Sequence, residues 1–410
     1  MNVLILGGGG REHALAWKLA QSSQIKSLTA SPGNPGIAQL AHCTAHPGHA
    51  DLTVVGPEVP LVAGVADQLR AQGQRVIGPS AAAAQLEGSK IFAKEIMDEA
   101  AIPTARYQVH DDLASAKHSL IRFEYPVVIK ADGLAAGKGV VIAKSRQEAE
   151  ITLEQMMTGQ LVGDAGRRVV IEDFCPGEEV SFIALSDGQN IVPFAPTQDH
   201  KAVFDGDRGP NTGGMGTYCD DRILDAATQN TIMEQVMRPA VHQMAKRGTP
   251  FTGFLFAGLM LTTSGIRVLE FNVRLGDPET QVLMHRLDSD LGELLSAATE
   301  GQVHRVPLRW KPNPSVCVVL CAADYPALPR KGDTIAGIAA AEATGAVVFH
   351  AGTATQDNRL VTSGGRVLGV TASGPTLNEA IRNAYAGVDR IQFAGMHFRR
   401  DIGAKGLKRW

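Results

Sequence analysis

The sequence predicts a protein of mixed α/β and α+β class, with an N-terminal parallel-sheet domain, a larger central domain and a small C-terminal α+β domain. Over residues 2–80, short apolar strands alternate with helical segments, which is typical of a parallel sheet with helices on both faces. From residue 89 the pattern changes to longer helices and to strands joined by Gly-rich loops. A polar, Pro-containing stretch at 302–314 precedes a last segment of alternating strands and turns.

Composition excludes several classes of protein. The chain has 410 residues, of which 44% are hydrophobic and 20% charged, as in an ordinary soluble globular protein. A formal net charge of −3 gives no electrostatic case for binding nucleic acid or a membrane. No apolar run approaches a membrane span, and the N-terminus lacks the basic region of a signal peptide. The five cysteines have no metal-finger spacing, so we expect a protein of the reducing cytoplasm.

Three loops follow the predicted N-terminal strands: "GGGGRE" (7–12), "SPGNPG" (31–36) and "GPEVP" (56–60). Loops at the carboxyl ends of parallel strands face one crevice. The first loop lacks the dinucleotide-binding spacing, because Glu12 or His13 stands where the third glycine of G-x-G-x-x-G belongs. It keeps the form of a Gly-rich turn at a helix N-terminus, which can cradle a phosphate. A tight turn without a ligand is the alternative.

The strand–helix alternation breaks at one place. Only "HPGHA" stands between "HCTA" and "DLTVV", whereas a crossover between parallel strands needs about a dozen residues or more. Either residues 43–45 are not a strand, or a crossover helix is missing near 45–51.

The central stretch "VVIKADGLAAGKGVV" predicts two strands joined by a Gly-rich loop. It is not a Walker loop, because only three residues separate Gly133 from Gly137 and Gly139 takes the place of the hydroxyl after Lys138. We interpret it as a hairpin lid that lays Lys138 over phosphates, with a plain surface hairpin as the alternative. Lys130 ends the first of these apolar strands, where a cation needs an anion partner.

Two further segments supply carboxylates. "VVIEDFCPGEE" places Glu172 and Glu179 around a hinge that could hold a nucleoside, although pairs of glutamates are also common on solvated turns. "EFNVRLGDPETQ" ends an apolar strand, and residues two apart on a strand share a face, so Glu270, Asn272 and Arg274 should lie together. A structural salt-bridge ladder would explain Glu270 and Arg274 but not Asn272.

A carboxylate beside an amide oxygen suits Mg²⁺, which fills the rest of its shell with water and phosphate oxygens. Arg274 can neutralise phosphate or carboxylate charge. Together with the lysines, these residues predict an ATP site built without a P-loop.

Eleven blocks between residues 2 and 403 resemble, in the same order, those of the glycinamide ribonucleotide synthetase (phosphoribosylamine–glycine ligase) family of the ATP-grasp superfamily. They are "GGGGREHALAWKLA", "SPGNPG", "VVGPEVPLVAGV", "QLEGSKIFAKE", "VIKADGLAAGKGVV", "TQDHK", "GPNTGGMGTY", "EFNVRLGDPETQ", "FHAGT", "SGGRVL" and "RRDIG". The resemblance implies a Rossmann-like pre-ATP-grasp domain at 1–88, an ATP-grasp domain at 89–301 with a lid subdomain at about 121–182, and a C-terminal domain at 302–410.

The resemblance also implies a reaction. ATP phosphorylates the carboxylate of glycine, and the amine of 5-phosphoribosylamine attacks the glycyl phosphate, giving glycinamide ribonucleotide, ADP and phosphate in de novo purine synthesis. The implied cofactors are ATP and Mg²⁺ or Mn²⁺. The implied partners are the two small substrates, with no nucleic acid and no membrane. A monomer is expected, and a dimer is the alternative if the shortened N-terminal domain exposes apolar surface.

Residue roles follow from the resemblance by position. ATP would be bound by Lys90, Lys130, Lys138, Glu172, Asp173, Phe174, Glu179 and Lys201. The metal would be bound by Glu270 and Asn272. The catalytic residues would be Lys138, Asp199, Arg274 and Asp277. The substrates would be bound by Gly8, Gly9, Gly10, Arg11, Glu12, Gly33, Asn34, Gly56, Pro57, Glu58, Asp199, Gly213, Arg274, Gly276, Asp277, Pro278, Glu279 and Arg366.

This chain departs from the family pattern at the break near 45–51, where most of a strand and helix is absent. Loss of that cover should expose apolar surface and affect stability or assembly before chemistry. Two other functions remain open. One is a different ATP-grasp carboxylate–amine ligase, against which "SPGNPG", "GPEVP" and "RRDIG" argue. The other is a nucleotide-binding relic without catalysis.

Overall fold

The structure is a computed structural model that describes residues 1–135 and 139–409. Its N-terminal part is a sheet of parallel strands in the order β3-β2-β1-β4-β5. The strands are β1 (Asn2–Gly7), β2 (Ser27–Pro32), β3 (His42–Cys43), β4 (Leu52–Val55) and β5 (Arg75–Ile77). The helices are α1 (Gly10–Leu19), α2 (Glu58–Val62) and α3 (Val65–Ala71). The parallel sheet predicted from the alternating pattern is confirmed.

The predicted break in this pattern is the crossover from β3 to β4. The segment His42–Cys43 is a strand, which pairs with β2 at the sheet edge. The next strand, β4, lies on the far side of β1. Residues 44–51, all of them described, connect the two strands without a helix. Of the two alternatives drawn from the sequence, the strand is present and the crossover helix is missing.

The sheet face beside this short crossover is polar. Leu28 and Ala30 pack with α1. Ser27 and Thr29, which alternate with them along β2, therefore face the opposite side of the sheet. They help to line a groove of about 250 Å³ whose other lining residues are Asn2, Val3, Leu4, Gly48, His49 and Ala50. Leu4 stays buried at 2% exposure. The expected exposure of apolar surface is therefore wrong for this face, because β2 presents hydroxyl side chains there.

The predicted lid corresponds to an antiparallel sheet in the order β6-β9-β7-β8. Helices α4 (Gln85–Gly88) and α5 (Lys90–Glu99) lead into it. Its strands and helices are β6 (Tyr107–His110), α6 (Leu113–Ser119), β7 (Val127–Ala131), β8 (Val140–Ala143), α7 (Arg146–Met157) and β9 (Val169–Asp173). The sheet thus starts at Tyr107, ahead of residue 121.

The largest sheet among the described residues has nine strands, in the order β17-β16-β10-β12-β15-β18-β22-β19 with β11 beside β10. Its strands are β10 (Glu178–Asp187), β11 (Ile191–Pro193), β12 (Thr197–Asp199), β15 (Gly216–Cys219), β16 (Thr252–Thr262), β17 (Gly265–Asn272), β18 (Ser315–Cys321), β19 (Val347–His350) and β22 (Arg366–Ser373). Two hairpins flank it, β13 (Ala202–Phe204) with β14 (Arg208–Asn211) and β20 (Thr353–Gln356) with β21 (Arg359–Thr362). The strands β18, β19 and β22 continue the central sheet into the C-terminal part of the chain.

Seven further helices cover this sheet in the described part of the chain. They are α8 (Ala226–Ile232), α9 (Arg238–Lys246), α10 (Glu279–Arg286), α11 (Leu291–Thr299), α12 (Ile338–Glu342), α13 (Leu377–Val388) and α14 (Ala404–Arg409). Helix α10 packs against both α1 and β15, which brings the N-terminal domain onto the central sheet. None of the described helices is long and apolar enough to cross a membrane.

Helix α1 and the C-terminal strand β19 meet at a buried histidine contact. His13 Nδ1 accepts a hydrogen bond of 2.7 Å from the backbone N–H of His350. Asn34 donates to the carbonyl oxygens of Gly8 and His350 at 2.9 Å each. Burial, with a smaller contribution from the nearby His350, lowers the pKa of His13 to about 3, and burial lowers the pKa of His350 to about 4. Both imidazoles are therefore neutral at pH 7.

Acid should weaken this contact. The unfolded chain binds a proton at His13 below pH 6.5, whereas the folded chain does so only near pH 3, so stability falls as the pH is lowered through that window. At pH 5 the loss from His13 should be about 2 kcal/mol. Urea unfolding at pH 7 and pH 5 measures it. His13→Asn keeps an acceptor but does not titrate, and an equal acid loss in that variant would contradict this account.

Candidate active site

The candidate site is built on the end of β17. Glu270 lies opposite Gly258 and Asn272 opposite Phe256 on β16, so the two polar residues are two apart and share a face. The pairing shifts between Val268 and Glu270, which leaves Leu269 as the extra residue of a β-bulge. The carbonyl oxygen of Leu269 accepts a hydrogen bond of 2.8 Å from Lys130 Nζ. The bulge therefore brings β7 of the lid sheet to the end of β17.

Glu270 forms an ion pair with Lys90, with Nζ 2.8 Å from Oε2. Lys90 is the first residue of α5, whose N-cap Ser89 accepts from the N–H of Phe92. Ser89 also donates to Asp132 Oδ1 at 2.7 Å, so the helix start is tied to the lid. The positive charge of Lys90 lowers the pKa of Glu270 well below its ordinary value. The carboxylate is therefore ionised and available to a cation.

Glu172 lies between two lysines in the interior. Its carboxylate, 2% exposed, pairs with Lys130 and with Lys94, whose Nζ lies 2.6 Å from Oε2. Burial opposes its charge, but Lys130 and Lys94 outweigh that effect and lower the pKa of Glu172. Lys94 Nζ also donates to Thr104 Oγ1 at 2.7 Å. Lys94 was not predicted from the sequence, where the available signal was its position one helical turn after Lys90.

Most of the remaining residues expected to bind ATP lie at the end of β9, in the turn after it, at the start of β10 and just after β12. Glu179 pairs with Lys201, and this carboxylate with Glu270 raises the pKa of Lys201 against the effect of burial. Asp173 instead forms a two-pronged pair with Arg106 at 2.9 Å. Phe174 is 37% exposed. Lys138, expected to cover phosphates, lies outside the described residues.

Arg274 lies just beyond the end of β17 and is held by carboxylates from the N-terminal part of the chain. Its Nε donates to Glu58 at 3.1 Å and its Nη2 to Glu87 at 2.9 Å. Nη2 also donates to Asn272 Oδ1 at 3.2 Å. The structure therefore places Arg274 beside Asn272, as expected for residues two apart, and adds Glu58 as a partner that the sequence did not indicate. Glu87 was missed, although it lies in the quoted block "QLEGSKIFAKE".

The "GDPE" turn at 276–279 joins this site to the C-terminal part of the chain. Arg366 on β22 forms an ion pair of 3.4 Å with Asp277, and its Nη1 also donates to the carbonyl oxygen of Gly213. A Cβ atom on Gly276 would lie 2.3 Å from Glu279 Oε2, so the glycine keeps that side of the carboxylate clear. Glu279, the residue after Pro278, accepts from Ser181 at 3.0 Å.

Asp199 at the end of β12 is a buried acceptor without a hydrogen-bond partner for Oδ1 among the described residues. Burial, reinforced by the charge of Glu279, raises the pKa of Asp199 well above its ordinary range. Burial also raises the pKa of Glu279. A Cβ atom on Gly214 would lie 2.9 Å from both carboxylate oxygens of Asp199. The glycine leaves room there, and the carboxylate pair favours a small cationic ligand.

The N-terminal loops interlock around Glu12. Glu12 accepts from the N–H of Gly9 and from Arg11 Nε, both at 2.6 Å. Arg11 also donates to the carbonyl oxygen of Leu275 at 3.0 Å. A Cβ atom on Gly56, which precedes Pro57, would lie only 1.9 Å from Glu12 Oε1. Arg11 and Glu12 thus find their hydrogen-bond partners within the protein. We therefore expect these side chains to shape the crevice and the loop backbone to contact the ligand.

The same loops touch each other and the "GDPE" turn. A Cβ atom on Gly8 would lie 2.4 Å from the carbonyl oxygen of Gly33. One on Gly10 would lie 3.5 Å from Asp277 Oδ1, and one on Gly9 would lie 3.6 Å from Asp277 Oδ2. The crevice predicted for the N-terminal loops therefore opens onto the end of β17.

The metal site at Glu270 and Asn272 stays a prediction. The described residues contain no group of three or more His, Cys, Asp or Glu side chains that could hold a metal ion. Glu270 and Asn272 instead offer one carboxylate and one amide oxygen. That pair fits Mg²⁺ only if phosphate oxygens complete the shell.

Removing the buried carboxylate should destabilise the protein. Glu172→Gln leaves Lys94 and Lys130 buried without an anion, so the free energy of unfolding should fall by about 3 kcal/mol or more. Lys94→Met should cost less, because Lys130 still neutralises Glu172. Glu154→Gln, which breaks a more exposed pair with Lys117, is the control and should change stability by less than about 1 kcal/mol. Urea denaturation measures all three, and equal losses in Glu172→Gln and the control would contradict the prediction.

Three models of the phosphoribosylglycinamide synthetase family match consecutive parts of the chain. The N domain matches residues 1–87, the ATP-grasp (A) domain residues 88–280 and the C domain residues 315–405. Two curated relatives are phosphoribosylamine–glycine ligases. That of Mesorhizobium japonicum is 50% identical and that of Pseudomonas aeruginosa 48% identical, each over 100% of this chain and 99% of the relative. The first alignment has 422 positions for a chain of 410 residues, so that relative has at least 12 residues without a counterpart here.

Solved structures agree with this assignment. The crystal structure of phosphoribosylamine–glycine ligase from Thermotoga maritima is 35% identical, with a TM-score of 0.88 over 98% of this chain and 100% of that chain. Biotin carboxylase from Campylobacter jejuni, at 14% identity and a TM-score of 0.71 over 99% of this chain and 95% of that chain, shares the fold alone. The chain belongs to the phosphoribosylglycinamide synthetase family, whose central domain is an ATP-grasp domain.

Proposed function

We propose that this chain ligates glycine to 5-phosphoribosylamine with ATP, giving glycinamide ribonucleotide, ADP and phosphate. One observation carries the proposal: Arg274 just beyond the end of β17 is bound by Glu58 at the N-terminus of α2, so the two halves of the crevice meet at one guanidinium. One half holds Glu270 and three lysines, and the other holds the Gly-rich loops. A ligase that joins a phosphorylated carboxylate to a phosphorylated sugar amine needs both halves side by side.

The lysines provide the nucleotide side of the site. Lys90, Lys130 and Lys201 are each paired with a carboxylate, respectively Glu270, Glu172 and Glu179. A lysine in such a pair has further N–H donors that can be directed at phosphate oxygens. We propose that ATP lies between the lid sheet and the end of β17, with Glu179 near the ribose.

Glu270 and Asn272 would hold a divalent metal, and we propose Mg²⁺, with Mn²⁺ as the alternative. When bound, the ion neutralises charge on the transferring phosphate. The two protein donors are hard oxygen atoms, which suits Mg²⁺. The Asn272 oxygen accepts a hydrogen bond from Arg274, so on metal binding it would either use its second lone pair or release Arg274.

The chemistry has two steps. A carboxylate oxygen of glycine attacks the γ-phosphorus and ADP leaves. The amine nitrogen of phosphoribosylamine then attacks the carbonyl carbon, the carbon–oxygen bond to phosphate breaks, and the nitrogen loses a proton. Arg274 stabilises the negative charge on the acyl phosphate. The closed crevice keeps water away from that intermediate.

We propose that Asp199 and Glu279 bind the ammonium group of glycine. Their carboxyl groups are buried, and burial raises the pKa of each, although the charge of Lys201 acts against that effect at both groups. An ammonium group supplies a positive charge and a donor for the unpartnered Oδ1 of Asp199. The glycine carboxylate can then lie toward Arg274.

The "GDPE" turn and the N-terminal loops would bind phosphoribosylamine. Asp277 is fixed by Arg366 and contacts the loop at Gly9 and Gly10, so the sugar phosphate would lie against the loop backbone. All five cysteines are free thiols, as expected for the cytoplasm, and we propose that the enzyme works there as a monomer.

ADP release tests the proposed reaction. Purified protein with ATP and Mg²⁺ should release ADP only when glycine and freshly generated phosphoribosylamine are both present. ADP release with glycine and another amine would indicate a different ligase. ATP binding without ADP under every combination would indicate a relic and would overturn the proposal.

The metal assignment has its own test. Glu270→Gln should reduce turnover at least about 100-fold, because charge neutralisation at the transferring phosphate is lost. Loss of the pair with Lys90 should also lower stability, so turnover is measured at a temperature at which circular dichroism shows the variant to be folded. Glu234→Gln, which removes an exposed ion pair with Arg238, should leave turnover unchanged. Normal turnover by Glu270→Gln would contradict the role of this carboxylate.

A further inference from the structure

We propose that Glu87 is a positioning residue for the ligation, acting through Arg274. The inference rests on the proposed function, because it gives Glu87 a part in that reaction. Glu87 lies in α4 at the junction between the N-terminal and central parts of the chain and is only 5% exposed. It is too deep to contact a substrate directly, so its effect must pass through its partners.

One carboxylate of Glu87 fixes two consecutive residues. Its Oε2 accepts the backbone N–H of Val273 at 2.8 Å, and its Oε1 accepts from Arg274 Nη2 at 2.9 Å. The side chain of Glu87 therefore fixes the position of the backbone at the end of β17 and that of the guanidinium group of the next residue. A purely structural anchor for the backbone would need only the first of these bonds.

The hydrogen-bond donors of Arg274 show what the contact with Glu87 contributes. Nε donates to Glu58, Nη1 to the carbonyl oxygen of Leu275, and Nη2 to both Glu87 and Asn272. If Asn272 turns to a metal ion, Nη2 loses that acceptor and Glu87 alone holds it. Glu87 then fixes the Nη2 end of the guanidinium, while Glu58 holds Nε and the carbonyl oxygen of Leu275 holds Nη1.

The two carboxylates on Arg274 differ in exposure. The side chain of Glu58 is 28% exposed, whereas that of Glu87 is 5% exposed. Glu58 is exposed enough to release Arg274 and bind a substrate group in the crevice instead. Glu87 is too deeply buried to do so. Helix α4 also packs on α2, which carries Glu58, and a Cβ atom on Gly88 would lie 3.2 Å from Val62. The spacing of the two carboxylates is thus fixed by backbone packing.

The segment from Glu87 to Lys90 binds the end of β17 at two points. Glu87 holds Val273 and Arg274, and Lys90, three residues on, holds Glu270. The metal ligand and the catalytic arginine are therefore positioned by one short stretch of chain. Glu87 orients the arginine, and Lys90 covers the metal ligand until the nucleotide binds.

The test is a double-mutant cycle on the full-length protein. Glu87→Gln should lower kcat by about 10- to 100-fold through misplacement of Arg274, with the KM for ATP changed less than about threefold. Arg274→Lys should lower kcat more. If Glu87 acts through Arg274, the double variant should be no slower than Arg274→Lys alone. Glu150→Gln, which removes an exposed pair with Arg146, is the control and should leave kcat unchanged.

The possible outcomes separate the inference about Glu87 from the proposed function. Unchanged kcat in Glu87→Gln, or losses that multiply in the double variant, would overturn the inference while the proposed function stands. If the unmodified chain releases no ADP with both substrates, the proposed function fails and the inference fails with it. Should Glu87→Gln not fold, Glu87→Asp keeps the charge but shortens the side chain, and the same kcat and cycle comparisons apply to it.

Discussion

The structure depends on the pairing of buried charge at the end of β17. Removing a charge from water is costly unless a counter-charge and hydrogen bonds replace the water. Glu270 and Arg274 lie four residues apart at that end, and each needs partners from elsewhere in the chain. Lys90 comes from α5, Glu58 from α2 and Glu87 from α4. The N-terminal domain is therefore held to the central sheet by charges that we also propose to act in the chemistry.

This arrangement explains how many charged side chains can lie together in one buried site. The carboxylates expected to meet the metal and the ribose are neutralised by lysines, and those lysines are the donors expected to meet phosphate. Binding of a nucleotide with its metal exchanges one set of ion pairs for another, so few charges are left unpaired at any stage. Asp199 is the exception, because its buried oxygen has no partner among the described residues and its pKa is raised by burial.

Much of the site was accessible from the sequence because it depends on local geometry. The alternation of side chains along a strand predicted that Glu270 and Asn272 share a face, and loops after parallel strands were expected to share a crevice. The partners were harder to predict. Lys94 and Glu87 act through contacts 78 and 187 residues away in the chain, and the bulge at Leu269 depends on pairing with β16. Where the crossover near 45–51 lost its helix, the sequence could not show that β2 presents hydroxyl groups on that face.

In the reaction that we propose, a carboxylate oxygen of glycine is phosphorylated at the end of β17 before the amine attacks. Glycine labelled with ¹⁸O in its carboxylate tests this directly, by mass spectrometry of the phosphate released during turnover with ATP and phosphoribosylamine. If the acyl phosphate forms, one labelled oxygen passes from each glycine to the phosphate when the carbon–oxygen bond breaks. Phosphate free of label, formed together with glycinamide ribonucleotide, would contradict the account.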